Sequence, residues 1–183
     1  MLSVNIQTGL LNEAIQRESP NSDERPEPQE ISLIVIHGIS LPPAEFGGDY
    51  IEKFFTNTLD FQAHPYFKEI KDLKVSSHLL IERDGEIKQF VPFHKRAWHA
   101  GVSQFEKREC CNDFSIGIEL EGTDNIQYTE QQYQVLQDVC KSLINAYPAL
   151  SESTIVGHCD IAPGRKTDPG ESFDWQRFKA NLA

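Results

Sequence analysis

The chain of 183 residues has no apolar run approaching the roughly 20 residues that a bilayer-spanning helix needs, so no transmembrane segment is expected. Its N-terminus, MLSVNIQTGLLNEAIQRESP, has no basic stretch ahead of an uninterrupted apolar one. Asn12, Glu13 and Gln16 break what apolarity there is. That pattern argues against a secretory signal peptide and points to the cytoplasm. Positive charge is also scarce: 17 Lys and Arg against 28 Asp and Glu leave a net charge of −11. Nucleic-acid binding depends on Lys and Arg neutralising phosphates, so this balance argues against it. An anionic ligand would need a local basic patch to overcome the global field. The four cysteines, Cys110, Cys111, Cys140 and Cys159, show no CxxC spacing. In a reducing compartment they read as free thiols. Internal repeats and low-complexity tracts are absent.

What is present is ordinary for a soluble globular protein, with 39% hydrophobic and 25% charged residues. The length suits one domain with a real core. Residues 18–30, ESPNSDERPEPQE, are polar, Pro-containing and without periodicity. They read as a loop that joins a short amphipathic segment to the main body, so that 1–30 precede a domain over 31–183. ISLIVIH (31–37) is apolar on both faces, as a central strand requires. LPPAEFGG follows as a loop and DYIEKFFTN as a short helix. VSSHLLIE (75–82) and IKQFVP (87–92) flank the turn Asp84-Gly85 and predict a hairpin. FSIGIELEG (114–122) alternates as a strand. TEQQYQVLQDVCKSLINAY (129–147) opens with Thr129 and Gln132 in capping-box spacing. It places Leu136, Val139, Cys140, Leu143, Ile144 and Tyr147 on one helical stripe, which makes Cys140 a core residue. TIVGH (154–158) reads as another strand and FDWQRFKANL as a closing helix. Hairpins mixed with helices predict an α/β domain built on a mixed central sheet flanked by helices.

Two histidines, His37 and His158, end apolar strands, where a sheet's rim lets side chains converge on a ligand. A catalytic zinc takes three protein ligands and keeps a fourth position open. Asp168, across the Pro- and Gly-shaped loop VGHCDIAPGRKTDPG, can fold back to supply the third. Asp160 is nearer in sequence but needs a tighter turn. His78 reads as a structural mid-strand residue, and His64 and His94 as loop residues. In the strand around Glu119, the residues Ile116, Ile118 and Leu120 form one face, and Ser115, Gly117, Glu119 and Glu121 the other. Gly117 leaves open space beside Glu119. A carboxylate on such a face is suited to take a proton from a water at a metal. If the strand continues through His158, Cys159 points away from it, which disfavours a Cys–His nucleophile pair.

The segments HGISLPPAEFGG, HPYF, VSSHLLIERDGEI, RAWHAGVS, CNDFSIGIELEGTD and GHCDIAPGRKTDPG resemble, in the same order, the N-acetylmuramyl-L-alanine amidases of the amidase-2 type. The likeness runs from about residue 31 to residue 178 and is greatest to the cytoplasmic members acting on 1,6-anhydro-muropeptides. It implies a fold shared with peptidoglycan-recognition proteins and zinc on His37, His158 and Asp168. It also implies Glu119 as the group that activates water, Lys166 as the cation steadying the developing oxyanion, and Tyr66 and Trp98 as lining residues. Where the pattern has an arginine near the start of the VSSH strand stands Lys74, which lacks the two-pronged reach of a guanidinium. Lys74, Arg108 and Lys166 would form the basic patch for an anionic muropeptide. Lys166 and Asp168, two residues apart in an extended stretch, face the same way, while Arg165 faces opposite without an assigned role.

The implied reaction is hydrolysis of the amide joining (1,6-anhydro-)N-acetylmuramic acid to the L-alanine of the stem peptide. It would serve recycling of peptidoglycan fragments and, indirectly, control of β-lactamase induction. The enzyme would act as a monomer without membrane or nucleic-acid partners. A non-catalytic peptidoglycan-binding module of the same fold would lose the third ligand or Glu119. A bacteriophage-type amidase that also binds a polymerase tends to use Cys where Asp168 stands.

Overall fold

The computed structural model describes residues 2–26 and 30–182. Its main sheet has six strands: β1 (Ile15–Gln16), β2 (Leu33–Ile39), β3 (Leu79–Ile81), β4 (Ile87–Gln89), β5 (Ser115–Glu121) and β6 (Ile155–Gly157). Their order is β6-β2-β5-β3-β4-β1. The first four of that order run parallel, while β4 turns back against β3 through the expected Asp84-Gly85 hairpin. The sheet is therefore mixed, and four strands deliver their C-terminal ends to one edge. In the central pair His37 stands opposite Glu119, and Val35 opposite Gly117. Residues opposite each other on paired strands project to the same face, so His37 and Glu119 share one.

One face carries Ile34, Ile36, Ile116, Ile118 and Leu120. It is covered by α2 (Glu130–Ala146), whose Leu136, Val139, Cys140 and Leu143 are fully buried, as their stripe predicts. The helix begins with the expected capping box. Thr129 Oγ1 accepts from the Gln132 backbone N–H at 3.1 Å, and Gln132 Oε1 accepts from the Thr129 N–H at 3.0 Å. The opposite face of β5 is equally closed: Ser115, Gly117, Glu119 and Glu121 are all buried. Leu33, Val35, Phe114 and Ile161 pack on one part of it, and a second cluster around Phe55, Phe67 and Phe90 packs nearby. A short helix α1 (Tyr50–Phe55) belongs to that second cluster, and α4 (Trp175–Ala180) closes the chain.

Two expectations change. His158 does not close β6 but opens a one-turn helix, α3 (His158–Ile161), because the strand's pairing with β2 stops at Gly157. The region 18–30 is not simply a loop. Ser22–Glu24 pairs antiparallel with Lys95–Ala97, and before it β1 joins the sheet edge beside β4. Residues 27–29 lie outside the described part. Arg25 fixes this segment to the body of the protein. Its guanidinium donates to the backbone carbonyls of Phe93, Asn112, Asp113 and Ser115, and lies 3.2 Å from His78 Nε2. Burial lowers its pKa to about 10, so it remains charged at neutral pH.

Arg25→Ala would leave those carbonyls without a donor, two of them on fully buried residues. Unsatisfied buried groups cost about 1–3 kcal/mol each, so the variant should lose about 2–4 kcal/mol in urea unfolding. An unchanged midpoint would show that the N-terminal segment is not pinned in this way.

Candidate metal centre and active site

The shared strand edge places the functional groups. His37 comes from β2, Glu119 from β5, His158 from the first position of α3, and Asp168 from the loop beyond it. That loop is drawn in by two hydrogen bonds: the Cys159 N–H donates to the Asp168 carbonyl at 3.0 Å, and Tyr128 Oη to the Pro169 carbonyl at 2.9 Å. Tyr128 can reach that carbonyl because Gly38 has no side chain; a Cβ there would lie 2.3 Å from the tyrosine oxygen.

The result is a triangle. His37 Nδ1 and His158 Nδ1 are 2.9 Å apart, and Asp168 Oδ2 is 3.2 Å from the first and 3.1 Å from the second. The remaining imidazole nitrogens are engaged elsewhere. His158 Nε2 is 3.1 Å from the Ala100 carbonyl, which accepts only a proton, so the neutral ring presents a bare lone pair at Nδ1. Bonds of about 2.0–2.1 Å in a tetrahedron require ligand atoms about 3.3 Å apart, close to the observed edges. The donor set of two imidazoles and one carboxylate therefore fits zinc, and it is the one such cluster among the described residues. Asp160, the other candidate for the third ligand, turns away to accept the Gly157 N–H at 2.7 Å. Cys159 is a partly exposed thiol whose pKa is raised by burial, which leaves it without a nucleophile's character.

Burial lowers the His37 pKa to about 4, with the neighbouring His158 adding to the effect and Asp168 opposing it. Burial also pushes Asp168 upward, but its hydrogen bonds with His158 and His37 prevail and hold it well below the usual carboxylate range. Glu119 shifts the other way. Burial, and then the Asp168 charge, raise it well above its ordinary value, while Lys166 opposes. Glu119 Oε2 is buried and has no hydrogen-bond partner within the described protein. A carboxyl with raised proton affinity, aimed at no protein group beside a metal-binding triangle, is placed to accept a proton from a substrate or water.

His37, Glu119, His158, Lys166 and Asp168 line one cleft, and Tyr66 stands in its wall. Lys74 is exposed at the rim, between Leu73 and Val75, which do line the cleft. Trp98 is not among the lining residues; its backbone N–H donates to Ser76 Oγ, and Ser76 does line the cleft. Arg108 is placed wrongly by the sequence reading. Its guanidinium lies over the Phe114 ring and donates to Ser32 Oγ, at the start of β2. Five residues of strand, about 16 Å at 3.3 Å each, separate that point from His37. Arg165 gains a role that the sequence left open: it donates to the Ala100 and Val102 carbonyls at 2.6 and 2.7 Å, bracing the segment that orients His158.

Sequence reasoning missed His99. Its ring fills the space beside Gly117 that was expected to stand open; a Cβ on Gly117 would lie 2.5 Å from the ring. A glycine in the interior of a strand of bulky residues was the available signal, because it marks close approach by another group.

Two buried histidines and a carboxylate able to hold a metal ion thus share one cleft with a carboxyl of raised proton affinity. The amidase-2 family model, N-acetylmuramoyl-L-alanine amidase, matches residues 27–171, and the chain belongs to that family. It is 59% identical over 174 residues to the 1,6-anhydro-N-acetylmuramyl-L-alanine amidase AmpD of Escherichia coli (strain K12), covering 95% of this chain and 94% of that one. A crystal structure of a selenomethionine AmpD derivative superposes with a TM-score of 0.94 at 58% identity, over 98% of this chain and 99% of that one. The Escherichia coli amidase AmiD, solved with anhydro-N-acetylmuramic acid-L-Ala-D-γ-Glu-L-Lys, gives a TM-score of 0.59 at 30% identity, over 82% of this chain and 57% of that one.

Three buried histidines set a pH dependence. Burial lowers His37 to about 4, His78 to about 3 and His99 well below its usual value. Histidine in the unfolded chain titrates near 6.5, so below that pH the unfolded state binds more protons. Each ring therefore contributes stability that is present above about pH 6.5 and lost as pH falls towards 4. Glu119, raised by burial, acts in the opposite sense in this window, but it is one group against three. The urea midpoint of zinc-free protein should fall steadily from pH 7 to pH 5. A flat midpoint there would contradict neutral, buried imidazoles.

Proposed function

We propose that this chain is a zinc-dependent amidase that cleaves 1,6-anhydro-N-acetylmuramic acid from the L-alanine of its stem peptide. It acts in the cytoplasm, as a monomer, in the recycling of peptidoglycan fragments. By consuming anhydro-muropeptides it would also limit β-lactamase induction. The observation that carries the reading is the His37–His158–Asp168 triangle with the unpartnered Glu119 oxygen beside it. The substrate assignment draws support from the AmpD relatives and from the anhydro-muropeptide in the AmiD complex.

His37 Nδ1, His158 Nδ1 and Asp168 Oδ2 would hold the zinc. Zinc bound there would polarise the scissile carbonyl and lower the pKa of a water from about 16 towards 7. Glu119 takes the proton from the attacking water and returns it to the leaving nitrogen of L-alanine, so the amide leaves as a neutral amine. Lys166 extends into the same cleft and offers its ammonium to the oxygen on which negative charge develops. Burial of Glu119 strengthens its demand for a proton, while Lys166 and the metal's charge moderate that demand. The Tyr66 wall and the Lys74 rim provide an apolar surface and a cation for an anionic peptide-sugar, which resolves the mismatch with the chain's net negative charge.

Two carboxylates with different tasks should fail differently. Asp168→Ala deletes one of three protein ligands, so zinc content and amidase activity should fall together. Glu119→Ala keeps all three, so zinc should stay near one per chain while turnover drops on the order of 10²–10⁴-fold. Metal analysis beside a mass-spectrometric cleavage assay on anhydro-muropeptide decides. A Glu119→Ala protein with near-normal turnover, or one emptied of zinc, would overturn this division.

A further inference from the structure

We propose that His99 is a positioning residue that holds His37 in the one tautomer able to serve as a zinc ligand. The inference rests on the reading of His37, His158 and Asp168 as the metal site.

His37 can offer a lone pair at Nδ1 only if its proton sits on Nε2. A second tautomer competes: a proton on Nδ1 would point at Asp168 Oδ2, 3.2 Å away, and block the ligand position. The fully buried His37 Nε2 needs an acceptor for the useful form to prevail, and none is supplied by solvent at that depth. His99 Nδ1 lies 2.8 Å from it, with the rings edge to face at 90° and 4.9 Å between centroids. At the far side of the His99 ring, Nε2 is 3.1 Å from Ser115 Oγ. A proton on His99 Nε2, donated to Ser115, leaves His99 Nδ1 bare to receive the His37 proton. The chain of donors then runs in one direction, from His37 to His99 to Ser115.

The surroundings fix the His99 ring independently of the metal. Its backbone N–H and that of Ala100 both donate to Asn112 Oδ1, at 3.1 and 2.8 Å, and the Trp98 N–H donates to Ser76 Oγ at 3.0 Å. Gly117 provides the seat: three atoms of the ring lie 2.5–2.7 Å from where its Cβ would be. The neighbouring Ala100 carbonyl receives His158 Nε2–H. One short segment, residues 98–100, thus orients both metal-binding rings, through a side chain for His37 and through the backbone for His158. Groups that fix a ligand histidine in this way are typically worth 10–100-fold in metal affinity.

The test measures zinc affinity of the purified full chain by competition with a chromogenic chelator, for the unsubstituted protein, His99→Phe and His99→Asn. Phenylalanine keeps a ring on Gly117 but has no acceptor; asparagine places its Oδ1 near the position of Nδ1. His99→Phe should bind zinc 10–100-fold more weakly, and His99→Asn should retain most of the affinity. Equal affinity in His99→Phe, or an equal loss in His99→Asn, would overturn the proposal while leaving the zinc site standing. An unsubstituted chain that binds no zinc would overturn both. Should His99→Phe show no cooperative unfolding, imidazole ¹⁵N–¹H correlation spectra of the unsubstituted zinc-loaded chain decide instead. A proton on His99 Nε2 with Nδ1 bare supports the role, and a proton on His99 Nδ1 refutes it.

Discussion

Two imidazole nitrogens and a carboxylate oxygen meet within 3.2 Å of one another in a pocket where both rings are almost completely shielded from water. Like-signed electron density at that spacing is costly in a low dielectric and becomes favourable when a divalent cation sits among the three atoms. The rest of the structure serves this contact. Four parallel strands end together, Gly38 lets Tyr128 reach across to the Pro169 carbonyl, and the Cys159 N–H draws the Asp168 carbonyl back onto α3. A packed sheet, more than any one loop, sets the geometry: His37 and Glu119 are register partners and cannot separate without unpairing β2 from β5.

Holding charged and polar groups in this way works against stability. Glu119 is buried with an oxygen that finds no partner among the described residues, and three histidines are kept neutral by burial. The compensating contribution comes from the opposite face of the sheet, where the α2 stripe packs on Ile34, Ile36, Ile116 and Ile118. Polar site residues and cohesive apolar ones thus alternate along the same two strands, a division that the two-residue period of a strand makes possible.

That alternation is why much of the site was legible in the sequence. His37 after the four apolar residues Leu33, Ile34, Val35 and Ile36, Glu119 on the non-isoleucine side of its strand, and Thr129 with Gln132 before a helical stripe all follow from local pattern, and each is found where pattern puts it. The third member of the triangle is not settled by local pattern. Asp160 and Asp168 were both open until family likeness favoured Asp168, and in the structure Asp160 is occupied by the Gly157 N–H. Arg25, Arg165 and His99 were illegible for a different reason. Their partners are backbone carbonyls or rings dozens of residues away, which no periodicity encodes. β1 escaped notice because a two-residue strand is too short to alternate. Arg108 was misplaced because charge alone says nothing about which end of the sheet a side chain occupies; stacking on Phe114 decides that.

Anomalous diffraction at the zinc edge from crystals of the zinc-loaded protein tests the account most directly. The peak should lie at bonding distance from His37 Nδ1, His158 Nδ1 and Asp168 Oδ2 together, about 2.0–2.2 Å from each, with the Glu119 carboxyl beside it and not bonded to it. A peak bonded through Nε2 of either histidine, through Glu119 in place of Asp168, or away from this triangle would contradict it.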